Sequence, residues 1–171
     1  MNKRNIIVAS IIIILSAVIF IFLNMNKQYI KSQIDILENA EIILTDGETE
    51  IRLNIDLIKQ SGEEKFEAIL DTAATEPTKH NYMGVQLQNL LVDNIDLEKK
   101  NSVIISAVDG YSVAYSMDEI LIDKNIFIAF MEDGKYLKNR EDGGRGPYES
   151  IVVSDIFSNR RCKWITKIEV K

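Results

Sequence analysis

The sequence predicts an α+β domain built on mixed sheets and preceded by one N-terminal transmembrane helix. Two observations predict the domain: short β-like segments end at Asp-Gly and Gly-Pro turns, and short helical patterns fall between them without the regular spacing of a βαβ array. The third observation predicts the helix. Ile6 to Leu23, IIVASIIIILSAVIFIFL, carries no charge and no proline over eighteen residues, which approaches the hydrocarbon thickness of a bilayer.

The apolar run is longer than the core of a secretory signal peptide, and FLNMNKQ after it offers no small-x-small cleavage pattern. A lipoprotein junction would need a cysteine there, and Cys162 is distant. The expected organisation is a short cytoplasmic leader at 1–5, a transmembrane signal anchor at 6–25, a stalk at 26–41 and an extracytoplasmic domain at 42–171. Lys3 and Arg4 with the amino terminus favour an inside N-terminus, although Lys27 and Lys31 follow the span. This places a single-pass protein in the cell membrane with its domain outside the cytoplasm.

Of the whole chain's 26 acidic and 20 basic side chains, every acidic one and 18 basic ones lie beyond the apolar run, a net charge of about −8. That balance argues against nucleic acid as a partner and against adhesion to an anionic membrane surface. A lone cysteine excludes an internal disulfide, C-x-x-C redox chemistry and cysteine-rich metal sites.

Along the domain, Gln28 to Glu41 can continue the helix as a polar-faced stalk, with Ile30, Ile34 and Leu37 at helical spacing. Ile42 to Leu44 and Ile51 to Ile55 read as strands around the Asp46-Gly47 turn. Leu57 to Lys65 reads as a short helix or turn, Phe66 to Leu70 as a strand, and Asp71 to Asn81 as a polar connection containing Pro77. Gly84 to Asn94 reads as a helix. Ser102 to Val108, turning at Asp109-Gly110 into Tyr111 to Tyr115, is the clearest hairpin, with Asp109 setting the turn through backbone hydrogen bonds. Ser116 and Glu119 form a capping-box pattern before a helical turn. Asn125 to Met131, Ile151 to Val153 and Trp164 to Val170 complete the strands.

GGRGPYESIVV, Gly143 to Val153, places an arginine and a tyrosine in a glycine- and proline-rich turn that feeds an apolar strand. Such a turn can present Arg145 as a bidentate donor to an anion. If Arg145 faces a shallow pocket where an anion bridges it and His80 or Tyr148, Arg145→Ala should weaken binding and leave folding nearly intact; if Arg145 is solvated, the substitution should change neither. The acidic sets Asp93 with Asp96, Glu132 with Asp133, and Glu141 with Asp142 lack the alternating oxygen ligands of a calcium loop, so no residue is assigned to a metal. No Ser-His-Asp or Cys-His order points to a nucleophile, and no residue is assigned to catalysis.

Five segments in order carry a resemblance: YMGVQLQNLL from Tyr82, VIISAVDGYSVAYS from Val103, IFIAFMEDGKYL from Ile126, GGRGPYESIVV, and NRRCKWITKIEV from Asn159. Their sequence resembles the oxidoreductase molybdopterin-binding domain family of sulfite-oxidase type, over roughly Ile42 to Lys171. The resemblance implies that fold and a pocket for a molybdopterin-like ligand. It also implies a cysteine thiolate on molybdenum ahead of the aromatic-Gly-Val run, where AILDTAATEPTKHNYMGV has none. The hydroxyls of Thr72 and Thr75 are not equivalent soft ligands. Cys162 lies in a different motif, beside Arg160, Arg161 and Lys163, and reads as a small buried hydrophobe.

Candidate ligand contacts are Arg145, His80, Tyr148, Tyr111 and Tyr82: a cationic fork, a histidine in the polar approach to the helix, and three rings that can stack or donate. Two function classes follow. The missing thiolate favours a noncatalytic, membrane-anchored module that binds an anionic small molecule or assembles with a membrane-protein partner. The alternative is an oxidoreductase using a molybdopterin-type cofactor without cysteine ligation.

The anchor predicts that the chain resists carbonate extraction from membranes, and that its domain is digested by protease added to intact protoplasts. Release as a shortened soluble chain, or protection of the domain while an exterior control is cut, is the contrary result.

Overall fold

A computed structural model describes the backbone of residues 3–72 and 75–171, and side chains within 10–71 and 76–171. Helix α1 (Lys3–Asn39) includes the apolar run, and its segment from Ser10 is long and apolar enough to cross a membrane. Two units divide the chain, 1–35 and 36–171. The first is helical, with the side chains from Ser10 to Leu23 exposed.

The second unit is α+β. Its first sheet has the order β2-β1-β11-β5-β6, from β1 (Ile42–Thr45), β2 (Glu50–Leu53), β5 (Ser102–Ala107), β6 (Ser112–Ser116) and β11 (Ile165–Val170). β1 and β11 are parallel, whereas the other pairs are antiparallel, so the sheet is mixed. The second sheet runs β10-β9-β7-β4-β3, from β3 (Glu63–Thr72), β4 (Thr75–Gln86), β7 (Ile126–Glu132), β9 (Glu149–Val152) and β10 (Cys162–Lys163); β8 (Lys135–Tyr136) pairs with β7. Alternate residues of both sheets build one core that includes Ile42, Leu44, Val103, Ile105, Val85, Ile128 and Phe130. The other face of the second sheet carries a smaller cluster of Ala68, Tyr82, Ala129, Leu137 and Ile151. That second face also bears the charged side chains described below.

Local chemistry sets the short helices. Asn54 caps α2 (Ile55–Gln60) by accepting from Leu57 N–H at 3.0 Å, and Ser116 caps α4 (Met117–Ile120) by accepting from Glu119 N–H at 3.3 Å. Asp109 Oδ1 accepts from Tyr111 N–H at 3.1 Å and closes the β5–β6 turn, as its position suggested.

The sequence reading fails between Asp71 and Gln86. The expected polar connection is instead largely the paired ends of the long antiparallel strands β3 and β4, and Ala73 and Ala74 lie outside the described residues. Only from Tyr82 onward does β4 also pair with β7, so its outer part is a two-stranded ribbon with no apolar alternation to reveal it. Pro77 sits where the β3–β4 register shifts, the kind of place a residue without an N–H can occupy. The helix expected from Gly84 begins only at Leu87, as α3 (Leu87–Val92).

The GGRGPY turn is clamped against the segment after β8. Gly144 N–H donates to Asn139 O at 2.8 Å and Gly146 N–H to Lys138 O at 2.7 Å. A Cβ on Gly144 would overlap the Lys138 carbonyl and one on Gly146 the Leu137 carbonyl, so both glycines serve close backbone approach rather than flexibility. Trp164 completes the clamp by donating its indole N–H to Gly144 O at 2.8 Å. Gly146→Ala should therefore destabilise the detergent-solubilised chain by about 2–3 kcal/mol in urea titration, a loss of backbone fit rather than of charge.

Candidate functional site

Register across the second sheet assembles the site. Tyr82 on β4 lies opposite Glu132 on β7, Ala129 on β7 lies opposite Glu149 on β9, and Glu149 lies opposite Lys163 on β10. Arg161 enters just before β10, and the clamped turn delivers Arg145 from above.

Five of these side chains form a closed ring. Tyr82 Oη–H donates to Glu132 Oε1 at 2.9 Å and accepts from Arg161 Nη1 at 3.0 Å. Arg161 lies 3.8 Å from Glu149 Oε2, Arg145 Nε lies 3.5 Å from the same oxygen, and Arg145 Nη2 reaches Glu132 Oε2 at 2.5 Å. The Arg161 guanidinium also covers the Tyr82 ring at 5.2 Å and donates to Ile69 O at 2.7 Å. His80 joins from outside the ring, with Nδ1 at 3.2 Å from Glu132 and 2.9 Å from Asp133.

Electrostatics differ sharply between the two glutamates. Burial alone would raise the Glu132 carboxyl, but the hydrogen bond and charge of Arg145, aided by Tyr82 and His80, outweigh it and hold the group below its ordinary value. Glu149 is fully buried, and burial holds its carboxyl above the ordinary value despite Arg145, Arg161 and Lys163. Burial also opposes the charge on Arg145, yet Glu149 and Glu132 overcome it and raise its pKa. Three buried polar atoms in this group have no hydrogen-bond partner among the described residues: Arg145 Nη1 and both oxygens of Glu149.

Beside the ring opens a cleft of about 670 Å³, lined by Arg145, Glu149, Arg161 and Lys163, with Phe157 and Asp71 among its other walls. Lys163 is exposed, so the cleft presents three cations around a buried carboxyl group.

Of the residues singled out in the sequence, the structure brings Arg145, His80 and Tyr82 together through Glu132. It does not bring the other two. Tyr148 is fully buried in the main core, its hydroxyl donating to Ala40 O at 3.3 Å, and cannot bridge an anion with Arg145. Tyr111 is half exposed on the β5–β6 turn and donates to Asn159 O at 3.2 Å. The expectation that Arg145→Ala spares the fold is also corrected. Arg145 is not solvated, and its loss leaves Glu132 and buried Glu149 without their shared guanidinium.

Sequence reasoning missed Glu132, Glu149 and Arg161 as site residues. Glu149 did leave a signal, as the single charge inside the PYESIVV run. Cys162 is buried as expected, with its thiol pushed up to about 12 by burial first and then by Asp109 and Glu149.

No family's sequence profile matches the chain, and no curated protein matches it. Among solved structures, the sulfane dehydrogenase SoxCD from Paracoccus pantotrophus is similar, with a TM-score of 0.64 and 14% identity over 78% of this chain. The chain spans 38% of that protein's length. At this identity the likeness is one of fold: a mixed-sheet α+β unit distantly like part of that dehydrogenase.

Glu132→Gln should cost about 2 kcal/mol at pH 7, because it weakens a largely buried charge-assisted bond to Arg145. A carboxylate whose folded pKa is depressed adds stability above its unfolded pKa and loses it as pH falls through the folded value. The gap between wild type and variant, read from urea midpoints, should therefore be full at neutral pH and close progressively below the ordinary value of 4.5.

Proposed function

We propose that this chain is a membrane-anchored module whose extracytoplasmic domain binds a small anionic molecule in the Arg145–Arg161–Lys163 cleft, without molybdenum–thiolate catalysis. One observation carries the reading: three basic side chains, Arg145, Arg161 and Lys163, converge on an open cleft. A guanidinium in such a lining favours a planar or tetrahedral oxyanion. The apolar helix α1 supports the anchor, and the positive residues before it support an outside domain.

The chemistry of the donor set separates a ligand's anionic part from a metal's needs. Arg145, Arg161 and Lys163 suit the phosphate of a molybdopterin-like molecule. A thiolate-held metal does not fit: the only cysteine is fully buried, its thiol resists ionisation, and its Sγ faces the Ile105 and Lys163 carbonyls at 3.8 and 3.9 Å. The β3–β4 hairpin, which occupies the window where the resemblance implies that ligand, contains no cysteine. Fold likeness to a dehydrogenase thus supports a shared scaffold, and the site supports binding.

Lys163→Ala tests the cleft without breaking the ring, since Lys163 is exposed. Protein extracted from its native membrane should release an anionic small molecule detectable by mass spectrometry, and should lack stoichiometric molybdenum and sulfite oxidation. The variant should bind the released molecule about three- to tenfold more weakly in calorimetric titration with its melting temperature unchanged. Unaltered affinity removes Lys163 from the site; stoichiometric molybdenum with sulfite turnover overturns the noncatalytic reading.

A further inference from the structure

A second site lies on the outer side of the ring, where β4 meets the β7–β8 turn. We propose that His80 Nδ1, Glu132 Oε1 and Asp133 Oδ2 form a binding site for one divalent first-row transition-metal ion.

The three ligand atoms lie within 4.8 Å of one another, and two of the separations are 2.9 and 3.2 Å. Atoms that share an ion at about 2.0–2.2 Å sit about 3 Å apart, so His80 already stands at ligand spacing from both carboxylates. Each residue's other polar atom is held by a group outside the trio. Thr78 Oγ1 lies 2.8 Å from His80 Nε2, so an Nε2–H donating there leaves the Nδ1 lone pair facing the carboxylates. Asn81 N–H donates to Asp133 Oδ1 at 3.0 Å, and Arg145 Nη2 to Glu132 Oε2 at 2.5 Å. Outer bonds of this kind fix the tautomer and aim the ligand atoms of metal sites.

Charge and access agree with the geometry. The Glu132 and Asp133 carboxyls are both held below their ordinary values, Asp133 chiefly by the Asn81 N–H and His80, so two anionic oxygens face one imidazole. A divalent ion held between them would balance the charge of the two carboxylates that the imidazole faces. His80 and Glu132 are about one quarter exposed and Asp133 is half exposed. Asp133 also borders a depression of about 450 Å³ together with Asn81, Tyr82 and Gly134. One imidazole and two carboxylates suit zinc, iron or manganese rather than a soft-metal centre, and the single positive charge of Arg145 is already shared with Glu149. This site adjoins the anion cleft through the Glu132–Arg145 bond, but its three ligand atoms are not among the cleft's lining groups.

Calorimetric titration of chelator-treated, detergent-solubilised full-length chain with Zn²⁺ should show one ion per chain. His80→Ala and Asp133→Asn should each weaken binding at least about tenfold while keeping the circular dichroism of the wild type. Asp133 has a φ of +48°, a conformation that asparagine tolerates, so the second variant keeps the turn. Co²⁺ should give a visible absorption spectrum that both variants lose. Absence of saturable binding by folded wild type, or variants that bind as tightly as wild type, overturns the site.

Discussion

Glu149 is the constraint around which the second sheet's outer face is organised. A carboxyl group with no solvent contact is costly to bury, and its strand neighbours offer it no hydrogen bond. Its compensation comes from Arg145 and Arg161, which approach from two segments distant in sequence. Those guanidiniums in turn need Glu132 and Tyr82, and the ring closes because neither partner can be removed without leaving a buried charge. One glutamate thereby ties β4, β7, β9, the Gly143–Pro147 turn and the entry to β10 into a single electrostatic unit.

The position of Arg145 depends on backbone fit. Gly144 and Gly146 let the turn press against Leu137 and Lys138, and the Trp164 indole holds it from the other side. Side chains longer than hydrogen would push the turn outward and pull the guanidinium away from both glutamates. Precision at the site is thus obtained through close main-chain packing, and the long arginine only spans the remaining gap. Arg145 Nη1 is buried in that turn without a hydrogen-bond partner among the described residues.

Fold and chemistry point in different directions. The scaffold is shared distantly with part of a dehydrogenase, while the only thiol is sealed in the core and the cations surround an open cleft. On the opposite side of the same ring, His80 meets two carboxylates, so hard and borderline donors gather where soft ones do not.

By itself the sequence determined the apolar helix, the α+β class, the Asp109 hairpin, the capped turn at Ser116 and the inert burial of Cys162. Each depends on local rules: run length, period-two alternation, turn residues and side-chain caps act over a few neighbours. It also marked Arg145, His80 and Tyr82. Only the tertiary structure decided that these three meet at Glu132, that Tyr148 points into the core, and that Asp71 to Gln86 extends as a hairpin instead of a connection and helix. Strand pairing is the reason: the register of β4, β7, β9 and β10 juxtaposes residues up to about eighty positions apart, and no local pattern encodes which of them face one another. Charge rings inherit that blindness, because a buried carboxylate and the arginines that compensate it need proximity in space and none along the chain.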